Sequence, residues 1–220
     1  MIPAKILEKS RLELDFKSNI PTGYGLKSSS AISSAVALSC AKAFGKKISD
    51  EEILKLGAKT SIQTKVSITG AYDDACACHF GGFNVTDNLK MKLIHRELAP
   101  KDLQAIIFLP KSRKRGNLKR LKEFNNAFEK SWELAERSDY WNAAILNGIA
   151  TTSILNSEPK IIMRLMERGA HCATISGNGP SIIAITDKKN KTKVMKEFSS
   201  LEGKIMIANI SNKKAFVHEL

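Results

Sequence analysis

The sequence predicts a mixed α/β fold, of the α+β kind, arranged as two lobes. Three observations carry that expectation. The chain has 220 residues, 43% of them hydrophobic and 26% charged, enough for one large domain or two small ones with real cores. Segments of strand character are interspersed with helical ones along its length. The second half orders them as strand, helices, strand, strand, helix, strand, which is the split βαβ or ferredoxin-like arrangement. The division falls at about residue 98, with an N-terminal lobe of residues 1–97 and a C-terminal lobe of residues 98–220.

The first lobe opens on "RLELDF", where Leu12, Leu14 and Phe16 share one face, as in a half-buried strand. A loop rich in Gly and Ser follows. From about Ser29 to Phe44 apolar residues lie almost all round the helical wheel, which predicts a buried helix. Ser49 and Glu52 form an S-x-x-E capping box that opens a helix through about Lys59. A short helix over 74–79 ends at Gly81-Gly82, and "FNVT" and "KLIHREL" read as strands. In the second lobe "LQAIIFLP" is a buried strand. Residues 117–168 are helical in pieces, broken near Ser138-Asp139 and at Glu158-Pro159. "HCATIS" and "SIIAIT" are strands around an "NGP" turn. A helix over 191–200 and the strand "KIMIANI" complete the order.

The net charge of +13 favours anionic partners: nucleic acid, acidic membranes, or phosphorylated and carboxylated small molecules. The densest basic run, "KSRKRGNLKR", has no interleaved aromatic residue of the kind that stacks on bases. It reads as a solvated loop or as an attractant for an anionic substrate. Cys40, Cys76, Cys78 and Cys172 lack zinc-ribbon spacing and read as ordinary buried thiols. No apolar run approaches the roughly 20 residues needed to cross a bilayer, and "MIPAKILEKS" has no apolar h-region. The expected location is the cytoplasm, with no membrane partner.

The most informative stretch is "PTGYGLKSSSA", which runs directly into the first apolar helix. The first N–H groups of a helix have no intrahelical acceptor, and the helix dipole adds partial positive charge there. Glycines let a backbone approach a phosphate closely, and serine hydroxyls add donors or a Mg²⁺ ligand. Lys27 adds a full charge. The stretch is neither a Walker A loop nor a G-x-G-x-x-G fingerprint. Two other segments stand out. "TGAYDDACACHFGGFNVTDN", residues 69–88, carries consecutive carboxylates, which taken alone are helix N-caps. "SGNGPSIIAI", residues 176–185, reads alone as a tight hairpin turn.

Together these segments resemble the GHMP kinases, and "GLKSSS" with the long second segment resembles the archaeal-type shikimate kinases. "LNG", residues 146–148, also fits that branch. The resemblance implies a two-lobed fold, with a ribosomal S5 domain 2-like N-terminal lobe and a ferredoxin-like C-terminal lobe. It implies that Pro21, Thr22, Gly23, Tyr24, Gly25, Leu26, Lys27, Ser28, Ser29, Ser30 and Ala31 wrap ATP. Ser29 would ligate Mg²⁺ and Asp74 would be the catalytic aspartate. Asp73, Thr69, Gly70, Ser176, Gly177, Asn178 and Gly179 would bind substrate, the last four as a glycine turn lining the phosphate site. The implied reaction is ATP-dependent phosphorylation of shikimate in aromatic amino-acid biosynthesis.

The chain departs from the family pattern in three places. Gln63 stands eleven residues before Asp74, where several relatives carry a Mg²⁺-binding glutamate. Lys27 replaces the usual glycine. Only 20 residues precede Pro21, fewer than relatives carry. The expectation is therefore a natural chain longer at its N-terminus, or an impaired short form whose open strand edge invites pairing into a homodimer. Two competing readings are another kinase of the family, such as homoserine kinase, and a basic nucleic-acid-binding protein with an S5-like lobe. The first typically has asparagine at the Asp74 position. The second leaves the serine loop and the double aspartate without a joint explanation.

Overall fold

The computed structural model describes residues 12–63, 67, 70–112, 117–155 and 159–218. The chain divides into two compact units. One comprises Met1–Ile20, Lys27–Leu98 and Ser211–Leu220, the other Pro21–Leu26 and Ala99–Ile210.

Three helices and a hairpin make up the described part of the first unit: α1 (Ser28–Ala43), α2 (Asp50–Gln63), α3 (Tyr72–Phe80), β1 (Phe83–Asp87) and β2 (Lys92–Glu97). The capping box forms as the sequence predicts. The Ser49 N–H donates to the Glu52 carboxylate at 2.9 Å, and the Glu52 N–H donates back to Ser49 Oγ at 3.3 Å. That satisfies two N–H groups at the start of α2. Leu54 and Ala58 of α2 pack on Tyr72, Ala75 and Cys76 of α3, while Ala37 and Cys40 of α1 pack with Ile53. Gly81 and Gly82 turn the chain out of α3 with φ of 65° and 70°. Residues 211–218 return to this unit. Ser211 O accepts from the Gly82 N–H at 2.8 Å, and the Ala215 N–H donates to His79 O at 2.6 Å.

Two expectations for this unit need correction. Residues 12–16 are not a strand; they make no ladder, and Leu12, Leu14 and Phe16 are 37%, 41% and 51% exposed. Alternation specifies a strand only where a neighbouring edge supplies hydrogen bonds, and the described sheet of this unit holds β1 and β2 alone. Nor is α1 buried all round. Its buried stripe is Ser30, Ser34, Ala37, Cys40 and Ala41, and Ile32 is exposed. Small residues at i, i+4, i+7, i+10 and i+11 seat the helix closely on its neighbours, and the larger Val36, Leu38 and Phe44 pack only partly buried beside them. Among the cysteines Cys40, Cys76 and Cys172 are buried as expected, whereas Cys78 is exposed.

The second unit holds β3 (Leu103–Pro110), a 3₁₀ segment (Leu118–Phe124), α4 (Asn125–Glu136), α5 (Tyr140–Ile154), α6 (Lys160–Glu167), β4 (Ala170–Ile175), β5 (Ile182–Asp187), α7 (Lys191–Phe198) and β6 (Gly203–Asn209). The sheet order is β4-β5-β3-β6, antiparallel at every step. Numbered within the unit this is 2-3-1-4, the ferredoxin-like order expected from the sequence. Leu103 to Phe108 pair with Asp187 to Ile182, so β3 lies centrally with β5 on one side and β6 on the other. Ile106, Phe108, Ala173 and Ala184 from the sheet share one core with Ile154, Leu165, Val194 and Phe198 from the helices. The Phe108 and Phe198 rings stack at 5.1 Å.

Gly148 of the "LNG" segment sets the approach of α5 to β4. A Cβ there would lie 2.3 Å from Ala173 O and 3.0 Å from Thr174 Cα. Alanine is favoured over glycine by about 1 kcal/mol in a helix, but this contact offers no room. Gly148→Ala is expected to destabilise the chain by roughly 1–3 kcal/mol in urea unfolding, the usual range for overpacking. A gain in stability would show that α5 and β4 separate freely.

Candidate active site

In the second unit, residues 21–26 of the Gly- and Ser-rich loop lie against the turn between β4 and β5. Tyr24 O accepts from the N–H and the hydroxyl of Ser181 at 3.2 and 2.7 Å. Gly25 O accepts from Ser176 Oγ at 2.9 Å. Within the turn, the Gly179 N–H donates to Ser176 O at 2.9 Å, and the Ser176 N–H to Ser181 O at 3.0 Å. A Cβ at Gly25 would sit 2.2 Å from Ser176 O and 2.8 Å from Gly179 O, and φ there is +79°. Only glycine meets both conditions. Two segments some 150 residues apart in sequence are thus packed backbone to backbone. Gly23, Gly177 and Gly179 also have positive φ. Gly177 and Asn178 are exposed, Ser176 is half-buried and Gly179 is buried.

At Lys27 the chain enters the first unit. Lys27 is left-handed, with φ 62° and ψ 26°, and stands at the N-cap of α1 without a side-chain cap. The helix begins its bonding with the Ala31 N–H to Lys27 O at 3.0 Å. The N–H groups of Ser28, Ser29 and Ser30 precede that bond and have no intrahelical acceptor. Ser29 is exposed in this first turn and Ser30 is buried. The Lys27 ammonium reaches Asp74 Oδ2 at 2.7 Å.

Asp73 and Asp74 lie in the first turn of α3, after Gly70 at φ 83° and Ala71 at φ 50°. Their environments differ. Asp73 is exposed and is held by Asn88. The Asp73 N–H donates to Asn88 Oδ1 at 2.9 Å, and Asn88 Nδ2 donates to Asp73 Oδ1 at 2.8 Å. The Thr86 hydroxyl donates to the same Asn88 oxygen at 3.0 Å. The Asp74 side chain is only 12% exposed. Burial pushes its carboxyl up to about 6, with the neighbouring Asp73 charge adding to the rise and Lys27 opposing it.

The expected site residues therefore fall into two groups. Tyr24 and Gly25 meet Ser176 and Gly179 in one unit, and Lys27 meets Asp74 in the other. Thr69 lies outside the described residues. Gln63 is the exposed last residue of α2. Asn88 was missed by sequence reasoning, although it ends the segment 69–88 from which the aspartates were singled out. An asparagine shortly after a strand gives no sign that it caps a helix fifteen residues earlier. Asn147 of α5 lies near Thr174, with Oδ1 3.4 Å from Thr174 Oγ1.

The family described as GHMP kinases N terminal domain matches residues 3–82. A protein named shikimate kinase from Methanosarcina acetivorans is 36% identical, over 96% of this chain and 74% of its own. Another of that name, from Pyrococcus furiosus, is 34% identical over 86% of this chain and 70% of its own. Among solved structures, homoserine kinase from Cytophaga hutchinsonii has a TM-score of 0.65 at 20% identity. It covers 89% of this chain and 69% of that one. Methanococcus jannaschii mevalonate kinase has a TM-score of 0.59 at 19% identity, covering 89% of this chain and 67% of that one. At those identities the structures speak for the fold, while the sequence relatives speak for descent: the chain belongs to the GHMP kinases, with the archaeal shikimate kinases.

Proposed function

We propose that this chain transfers the γ-phosphate of ATP to shikimate, giving shikimate 3-phosphate. The observation that carries the reading is the largely shielded Asp74 carboxylate at the start of α3, in a chain 30–37% identical to several archaeal proteins named shikimate kinase. In this reading residues 1–97 form the ATP-binding lobe and residues 98–220 the ferredoxin-like one. Asp74 accepts the proton of the attacking hydroxyl, or orients it for in-line attack. Asp73, Thr69 and Gly70 bind the acceptor. Residues 21–31 wrap the phosphates of ATP, and the turn at 176–179 lines the phosphate and acceptor site.

One feature fits a polyphosphate: the N–H groups of Ser28, Ser29 and Ser30 open an uncapped helix. Mg²⁺ fits more narrowly. Among the described residues no group of three His, Cys, Asp or Glu could hold a metal. Mg²⁺ in kinases commonly keeps several waters and takes one or two protein ligands beside the phosphates. The exposed Ser29 hydroxyl suits that part. Bound there with ATP, the metal would neutralise charge on the phosphate oxygens.

The partners in this reading are the two anionic small molecules, in the cytoplasm, with no part for nucleic acid or membrane. Among the described residues no helix is long and apolar enough to cross a membrane. A pair of chains is the proposed assembly. Release of ADP measured in parallel with shikimate, homoserine and mevalonate tests the acceptor; turnover with homoserine and none with shikimate would replace the reading. A salt-dependent gel shift on RNA tests the nucleic-acid alternative.

Asp74→Asn is expected to keep the fold and ATP affinity and to lose turnover by roughly 10²-fold or more, as for removal of a general base. The sign of the pH dependence follows from the raised pKa. Below about pH 6 Asp74 takes up a proton, so kcat/KM for the wild-type chain should fall as pH drops through that value. Turnover of the Asn variant near that of the wild type would remove Asp74 from this role.

Ser29→Ala is expected to raise the Mg²⁺ concentration needed for half-maximal activity several-fold, with little change in thermal unfolding of the ligand-free chain. Magnesium titration of both proteins checks this. Identical titration curves would show that Ser29 is no metal ligand.

A further inference from the structure

Lys27 occupies a position whose backbone suits a different residue. At φ 62° a glycine is unstrained, whereas a side chain at a left-handed position is disfavoured. At a helix N-cap the useful side chains are acceptors such as Ser, Asp or Asn, and lysine carries only donors. The residue therefore gains nothing locally from its position. What it gains lies 47 residues further along the chain, where its ammonium meets Asp74 Oδ2 at 2.7 Å. The Lys27 side chain is 31% exposed and that of Asp74 is 12% exposed, so the pair is largely shielded from water. Among the described residues, Asp74 Oδ1 has no hydrogen-bond partner, and the neighbouring Asp73 carboxylate is turned to Asn88.

We infer that Lys27 is a positioning residue for phosphoryl transfer: its ammonium pins Asp74 Oδ2, so that Oδ1 alone is presented to the acceptor hydroxyl. The charge of Lys27 then serves the carboxylate, and phosphate binding falls to the backbone N–H groups of the serine turn. This rests on the reading of Asp74 as the proton acceptor and adds to it the residue that orients the group. The physical case is one of geometry. A carboxylate in a part-buried site with no fixed partner rotates about its Cβ–Cγ bond, and an aligned attack geometry depends on sub-ångström placement. The ion pair also opposes the effect of burial, which on its own favours the protonated acid.

The test combines Lys27→Gly, Lys27→Met and Lys27→Arg with Asp74→Asn, measuring kcat and KM for shikimate, the dissociation constant for ATP, and thermal unfolding. Lys27→Gly removes the ammonium and relieves the left-handed backbone, so its Tm should equal or exceed that of the wild type. Its kcat should fall about 10²-fold, with the ATP dissociation constant within about 3-fold of wild type. Lys27→Met keeps the backbone and most of the stem, and a like loss of kcat from a folded Met variant answers the case in which the Gly variant fails to fold. Lys27→Arg should restore part of kcat, because a guanidinium also reaches the carboxylate. In the Asp74→Asn background Lys27→Gly should cause little additional loss, since both changes break one unit. A folded Lys27→Gly or Lys27→Met variant with wild-type kcat beside an inactive Asp74→Asn overturns the inference and leaves the reading of Asp74 standing. Weakened ATP binding with unchanged kcat also overturns it, by making Lys27 a phosphate ligand. Wild-type turnover in Asp74→Asn ends both together.

Discussion

The contact on which the site depends is the close approach of the backbone at Gly25 to the turn at Ser176. A single methyl group added at Gly25 would come within 2.2 Å of Ser176 O. The Tyr24 and Gly25 carbonyls are both held by serine hydroxyls, from Ser181 and Ser176. These bonds fix the loop in the second unit up to Leu26, and the next residue caps α1 in the first. The left-handed turn at Lys27 is what lets the chain leave one backbone contact and enter a helix at once. Glycines at 23 and 25 and a left-handed residue at 27 are thus parts of one backbone path.

The two aspartates show how neighbours in sequence are given different chemistry. Asp73 faces water and is locked through backbone and side chain to Asn88, which also supplies the cap that Ala71 cannot. Its carboxylate stays in a polar, solvated setting. Asp74, one residue on, points to the buried side of the same helical turn, where burial and the Asp73 charge raise its pKa to about 6 and Lys27 limits the rise. A carboxyl whose pKa is raised by burial and a neighbouring charge is a common mark of acid–base machinery. Here the geometry adds what the titration alone lacks, a carboxylate with one oxygen held and one open.

Much of this was legible in the chain, and the reasons differ by element. The second unit read well because β3, β4 and β5 are runs of apolar residues bounded by turn signals, and its helices are separated by breakers at Ser138-Asp139 and Pro159. The capping box of α2 read well because both partners are local. Residues 12–16 did not, since alternation reports which side chains could share a face and says nothing of a partner edge. The character of α1 was misjudged because small residues count for little on a hydrophobic wheel, yet they decide which side a neighbouring helix can approach. In the candidate site, the Gly- and Ser-rich loop and the paired aspartates stand out by residue type, while the roles expected of them come from the family resemblance. The Asn88 latch and the Lys27–Asp74 pair were not, because each joins residues whose proximity is created only by folding.

The placement of Lys27 also changes how the basic character of the chain is understood. The sequence invites a simple picture in which a lysine within the Gly- and Ser-rich loop faces the phosphates. Its ammonium instead neutralises a part-buried carboxylate, so the Lys27–Asp74 pair contributes little net charge. Attraction for a polyanion then comes from two other sources, the helix dipole with its unsatisfied N–H groups at Ser28, Ser29 and Ser30, and the diffuse field of a chain with net charge +13. The first acts within a turn of the helix and is directional. The second acts over about a Debye length, is screened by salt, and raises the local concentration of anions without orienting them. In the proposed reading, orientation at the transfer centre is left to groups that fold into fixed positions, the serine turn for the nucleotide and the Lys27-held carboxylate for the acceptor. A lysine that swung between phosphate and carboxylate would serve neither as well, and the Lys27 ammonium, 2.7 Å from Asp74 Oδ2, is held at the carboxylate.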